Sequence, residues 1–145
     1  MNELLAKILN AHGGMDRWNG YEKVEATIVS GGGLLPMKGI EVDPNPLRVM
    51  ATTHEESTVI SPFGQSDWRM VFRPERIVIE TSAGVVVEER SNPRAAFAGH
   101  TMSTPWDLLH RAYSTDTPGG LSNHSIPVGD AGLRSCRNCL VARGY

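Results

Sequence analysis

Val24-Glu25-Ala26-Thr27-Ile28-Val29-Ser30 is the stretch on which the fold turns. Val24, Ala26 and Ile28 alternate with Glu25 and Thr27, the period of two that belongs to a half-buried strand. Downstream, Gly31-Gly32-Gly33 interrupts the alternation, and Leu34 to Val42 reads as a second strand, with Pro36 and Gly39 marking an edge, bulge or bend. Asp43-Pro44-Asn45-Pro46 is a compact turn, after which strands are expected at Leu47–Thr53, Glu56–Ser61, Asp67–Phe72, Arg76–Glu80 and Val85–Glu89. Their connections, such as Pro62-Phe63-Gly64 and Ser82-Ala83-Gly84, are too short for helical crossovers, so neighbouring strands run antiparallel. The alternation turns Val24, Ala26, Ile28, Trp68, Met70 and Phe72 inward and Glu25, Thr27 and Arg69 outward.

Upstream, the period is that of a helix. Leu4, Leu5, Ile8 and Leu9 share one face, and Gly13-Gly14 offers a residue of positive φ at its end. Met15-Asp16-Arg17-Trp18 makes one further turn. Beyond the strands, Thr104-Pro105-Trp106-Asp107 combines a capping residue, a proline and an acid ahead of Leu108-Leu109, the signature of a helix start. The expected fold is therefore α+β: one strongly curved antiparallel sheet, a half-barrel-like meander, with the N-terminal helix packed on it and a second helix near 104–113.

A chain of 145 residues, 40% apolar and 21% charged, makes one core and not two. Its net charge of −2 lacks the basic surplus of a nucleic-acid binder. No apolar run approaches the roughly 20 residues of a membrane span. Met1-Asn2-Glu3 does not open a secretory signal, so a cytoplasmic location is expected. Two cysteines make no disulfide framework. Residues 114–145 hold both cysteines and show neither a sustained alternation nor a helical stripe, so they are expected to form an irregular tail to a domain spanning 1–113.

Ala11-His12-Gly13-Gly14-Met15-Asp16-Arg17-Trp18, Ser61-Pro62-Phe63-Gly64, and Phe97-Ala98-Gly99-His100-Thr101 with Thr104-Pro105-Trp106-Asp107 together resemble a family of uncharacterised bacterial proteins over residues 1–113. The order of elements is also similar, at the level of fold, to the lipoprotein-carrier (LolA-like) half-barrels, whose curved sheet shields an apolar cavity. Those carriers are periplasmic, and the missing signal departs from them. The family continues Phe-Asn-Gly-Tyr and then Trp-Thr-Tyr-Leu-Thr-Thr-Pro-Phe, where this chain has Ser114-Thr115-Asp116-Thr117-Pro118. With suitable codons, one base restored before Ser114 and another near Gly120-Leu121 return that segment. The resemblance thus implies that 114–145 are an out-of-frame translation.

Four groups of residues carry candidate chemistry. Cys136-Arg137-Asn138-Cys139 has the spacing of a redox dithiol or zinc half-site, but lacks the second pair of ligands that zinc requires. His100, Asp107 and His110 can meet at one end of the last helix, with Glu55 or Glu56, beside His54, as a further carboxylate, although no metal-binding spacing is present. Gly31-Gly32-Gly33 is followed by Leu34-Leu35-Pro36, which does not make a phosphate loop. Arg48, Arg69, Arg73 and Arg76 lie among Asp67, Glu75 and Glu80 and read as cross-strand pairs on a solvated face. No G-x-S-x-G nucleophile elbow occurs.

The function expected from these features is noncatalytic binding of an apolar or amphipathic small molecule in the concave face of the sheet, lined by Trp18, Trp68, Phe72 and Trp106, without cofactor or metal. One alternative is a hydrolase or metal-dependent enzyme using His100, Asp107 and His110. Another is a truncated product without function. Oligomeric state is open.

Overall fold

The computed structural model describes residues 3–11, 13–29, 33–116, 134–136 and 139–143. The chain is α+β, with a curved, unclosed sheet whose six consecutive strands form an antiparallel meander: β1 (Lys23–Ile28), β2 (Leu47–Thr52), β3 (Thr58–Ser61), β4 (Trp68–Arg73), β5 (Arg76–Thr81) and β6 (Val86–Ser91). Each boundary falls within two residues of the alternation in the sequence, because the period of two is a local property of the strand.

Register turns this alternation into a continuous apolar face. Ile28 lies opposite Leu47, Val49 opposite Ile60, Ile60 opposite Met70, and Met70 opposite Ile79, while Phe72 pairs with Thr58 on one side and Ile77 on the other. Leu47, Val49, Ile60, Met70, Phe72, Ile77 and Ile79 are all buried. The opposite face carries ion pairs between strands: Arg48 donates to both carboxylate oxygens of Glu25 at 2.7 and 2.9 Å, Arg69 pairs with Glu80 at 2.6 Å, and Arg76 pairs with Glu89. Arg48, Arg69 and Arg76 thus belong to a solvated outer face, as their alternation requires, and such pairs contribute little stability. The inward and outward assignments hold best in β4, with Met70 and Phe72 buried and Arg69 exposed. In β1, Val24, Glu25 and Ala26 are all half-buried.

The helices depart further from expectation. Of those present, α1 (Glu3–Ala11) ends as expected at Gly13, φ +94°, with the Gly14 N–H reaching the Leu9 carbonyl at 2.8 Å. None of its residues is buried, however, and Leu4, Leu5 and Ile8 stay exposed. A short α2 (Met15–Asn19) follows. The helix that packs against the sheet is α4 (Leu108–Asp116), whose Leu109 and Ala112 complete the core and which contacts β4, β5 and β6. Coverage by α4 explains why β1, away from it in the strand order, is only half-buried.

The strand expected over 34–42 is instead one helical turn, α3 (Leu34–Met37), followed by irregular chain. Gly39, at φ +77°, closes it: the Gly39 N–H donates to the Pro36 carbonyl at 3.0 Å and the Ile40 N–H to the Leu35 carbonyl at 2.9 Å. This is a glycine-terminated helix cap, so Gly39 marks an end of helix and not a bulge. Lys38, buried beside it, donates from Nζ to the carbonyls of Thr101 and Met102 at 2.6 and 2.9 Å, and its ammonium lies 5.5 Å from the Trp106 ring centre.

The described residues beyond 113 also carry regular structure. The last turn of α4 reaches Asp116, and β7 (Arg134–Cys136) and β8 (Cys139–Arg143) form a hairpin whose β8 adds in parallel to the free side of β1. The order of the eight-stranded sheet is β6-β5-β4-β3-β2-β1-β8-β7. An open strand edge supplies unpaired backbone donors and acceptors, and any extended segment can satisfy them without a matching side-chain pattern. Composition therefore misses this hairpin. Cys136 and Cys139 are register partners across it, while Arg137 and Asn138 lie outside the described residues.

Candidate functional site

Asp107, His110 and His100 are brought together, at the start of α4. Asp107 Oδ1 accepts the His110 N–H at 2.8 Å, and the Arg111 N–H bonds to the Asp107 carbonyl at 3.1 Å, so Asp107 is the residue that caps the helix. The start expected at Thr104 is displaced because Thr104 Oγ1 accepts the Thr101 N–H at 2.9 Å, holding that hydroxyl in the preceding loop.

His110 returns the contact. With its proton on Nε2, the ring donates to the Ala96 carbonyl at 3.3 Å and accepts the Asp107 N–H on Nδ1 at 3.3 Å; as an imidazolium it donates from Nδ1 to Asp107 Oδ1, 2.7 Å away. Asp107 also receives Arg90 through bonds of 3.3 and 2.6 Å. This arrangement is a reciprocal cap with histidine in the place usually taken by glutamate. His100 packs near it, 4.8 Å from His110 and 5.3 Å from Phe97 between ring centres, and its Nδ1 is buried without a hydrogen-bond partner among the described residues.

Burial acts to raise the Asp107 pKa, but the hydrogen bonds and charges of Arg90 and His110 outweigh it and hold the carboxyl at about 2 against an ordinary 3.8. A depressed carboxyl stabilises the fold above its unfolded pKa, and that contribution disappears as pH falls from about 4 towards 2. Because Asp107 is half-exposed, solvent screening reduces the effect to on the order of 1 kcal/mol. Urea unfolding between pH 2 and 6 is expected to show Asp107→Asn less stable than wild type at pH 6, with the gap closing below pH 4. A gap independent of pH would contradict the ion-pair reading.

A separate cavity of about 420 Å3 lies beside the first turn of α4. The segment following α3 (Gly39 to Pro44), the β3–β4 turn (Gly64, Gln65), Trp68, and Leu108 and Arg111 of α4 line it. Gly64 has φ +82°, and a Cβ there would stand 3.0 Å from Leu108 Cδ2 and 3.4 Å from the Trp68 ring, so glycine is required where this turn meets the helix.

Arg111 is the unusual member. It is 4% exposed, and its Nε and Nη2 are buried without a hydrogen-bond partner among the described residues. Its guanidinium sits 4.9 Å from the Phe63 ring centre, a cation–π contact that gives no hydrogen-bond acceptor. Burial pulls its pKa below the ordinary value, and the charge of Asp43 partly offsets this. Buried arginine donors without acceptors are uncommon and ask for an explanation.

Of the described side chains expected to line a ligand site, only Trp68 lies on this cavity. Phe72 is sealed in the core, 3% exposed, against Tyr113, and Trp106 packs edge-on to Phe97 at 5.6 Å. The Trp18 side chain lies outside the described residues. His54, Glu55 and Glu56 are exposed in the β2–β3 turn, and no group of three potential metal ligands gathers among the described residues. Gly31 and Gly32 lie outside them as well. No described helix is long and apolar enough to cross a membrane. Sequence reasoning missed Arg111, although its spacing three residues beyond Leu108 places a guanidinium on a covered helix face. The chain matches no protein-family model, no curated protein and no solved structure.

Proposed function

We propose that the protein binds an amphipathic small molecule, without catalysis, in the cavity bounded by the Gly39–Pro44 segment, the β3–β4 turn and α4. The observation that carries this reading is Arg111, a buried cation whose Nε and Nη2 lack hydrogen-bond acceptors among the described residues and which is one of the residues lining a cavity of about 420 Å3. That volume lies within the range of small-molecule sites, and its lining mixes polar and apolar residues, as an amphipathic ligand requires. Trp68 and Leu108 offer apolar surface to its body, and Arg111 offers its positive charge to a polar head. The hydrolase alternative is less well supported: Asp107 and His110 are committed to the helix cap and to Arg90 and Ala96, and neither lines the cavity.

Nile red, a neutral apolar dye, is expected to bind the folded chain saturably with a rise in fluorescence. In Trp68→Ala this binding should weaken about tenfold, corresponding to roughly 1.4 kcal/mol, while the urea midpoint shows that the protein remains folded. Dye binding that is unsaturable, or unchanged in Trp68→Ala, would refute the site.

A further inference from the structure

The same cavity holds three charged side chains, and their balance narrows the ligand. Arg111 supplies one positive charge, while Glu41 and Asp43 of the facing segment supply two negative ones. Asp43 is close enough to act on Arg111 electrostatically, yet neither Nε nor Nη2 of Arg111 finds an acceptor there. The Asp43 carboxylate is engaged locally, with Oδ1 accepting both the Asn45 N–H and the Asn45 side-chain amide at 2.8 Å.

A simple anion placed beside Arg111 would offset the guanidinium charge but raise the local negative charge to two units beside Glu41 and Asp43. A simple cation would suit the carboxylates and leave Arg111 without an acceptor. Both demands are met by a ligand that carries its own two charges, an acidic group for Arg111 and an ammonium for the carboxylates.

Resting on the binding reading above, we infer that the cavity selects a small zwitterion of the amino-acid class, its carboxylate on Arg111, its ammonium towards Glu41 and Asp43, and an apolar side chain against Trp68 and Leu108. The recognition is a charge pattern: each half of the ligand is paired, and removal of either charge leaves a buried or facing group uncompensated.

Calorimetric titration of the full chain at pH 7 and low salt with L-phenylalanine, N-acetyl-L-phenylalanine and phenethylamine tests this. L-Phenylalanine is expected to bind at least about tenfold more tightly than either single-charge analogue. Glu41→Gln, an exposed position where folding is not at stake, should narrow the gap between L-phenylalanine and its N-acetyl derivative by about threefold or more. Equal or tighter binding of the N-acetyl form, a gap unmoved by Glu41→Gln, or no binding of L-phenylalanine would overturn the zwitterion assignment. If Nile red still binds in a Trp68-dependent manner in those cases, the cavity reading stands without it. If neither Nile red nor any of the three compounds binds, both fail.

Discussion

Phe63→Ala is expected to cost about 3–5 kcal/mol of stability, a large part of what a domain of this size possesses. Phe63 is wholly buried at the β3–β4 turn, so its truncation leaves a void where the sheet meets α4. It also takes away the ring on which the Arg111 guanidinium rests at 4.9 Å, exposing that charge to a more poorly packed surrounding. Phe63→Leu, which retains much of the volume, should lose distinctly less. Urea denaturation followed by circular dichroism gives both values. An alanine variant within about 1 kcal/mol of wild type would mean that this junction is not packed as described.

Arg111→Met is expected to move stability and binding in opposite directions. Methionine fills a similar volume and carries no buried donor in need of an acceptor, and apolar replacement of a poorly compensated buried charge is often neutral or stabilising. The gain is reduced by loss of the contact with Phe63, leaving a net change of about 0–2 kcal/mol in favour of the variant. Affinity for the carboxylate of L-phenylalanine should meanwhile fall at least about tenfold, so that phenethylamine binds as well as the amino acid. A group retained for ligand recognition at some expense of stability gives this divergence. Destabilisation by more than about 1 kcal/mol would instead identify Arg111 as a structural residue and remove the main support for the proposed site.

Both predictions concern the place where β3, β4 and α4 meet, and the sequence reveals the parts of that place unequally. Met70 and Phe72 are legible as inward residues from alternation alone, and their register with Ile77 and Ile79 completes the apolar face. Trp68 is legible as an aromatic residue facing the same way. Asp107 and His110 are grouped by helical spacing, but spacing cannot distinguish an acid–base pair from a cap. That distinction depends on whether Asp107 Oδ1 meets a backbone N–H, which it does at His110.

The sequence by itself determined the six antiparallel strands, the glycine end of α1 and the ion-paired outer face, because each follows from the conformational preference or side-chain alternation of adjacent residues. Only the tertiary structure decided that α4 and not α1 covers the sheet, since both helices carry apolar residues and the choice depends on which surface each meets. It also converted 34–37 from strand to helical turn, where the Gly39 cap and the Lys38 tie to Thr101 and Met102 outweigh a short apolar run. The burial of Arg111 beside Phe63, Trp68 and Asp43 belongs to this second kind: those residues are distant in sequence, and whether a charge is desolvated depends on neighbours that only folding brings to it.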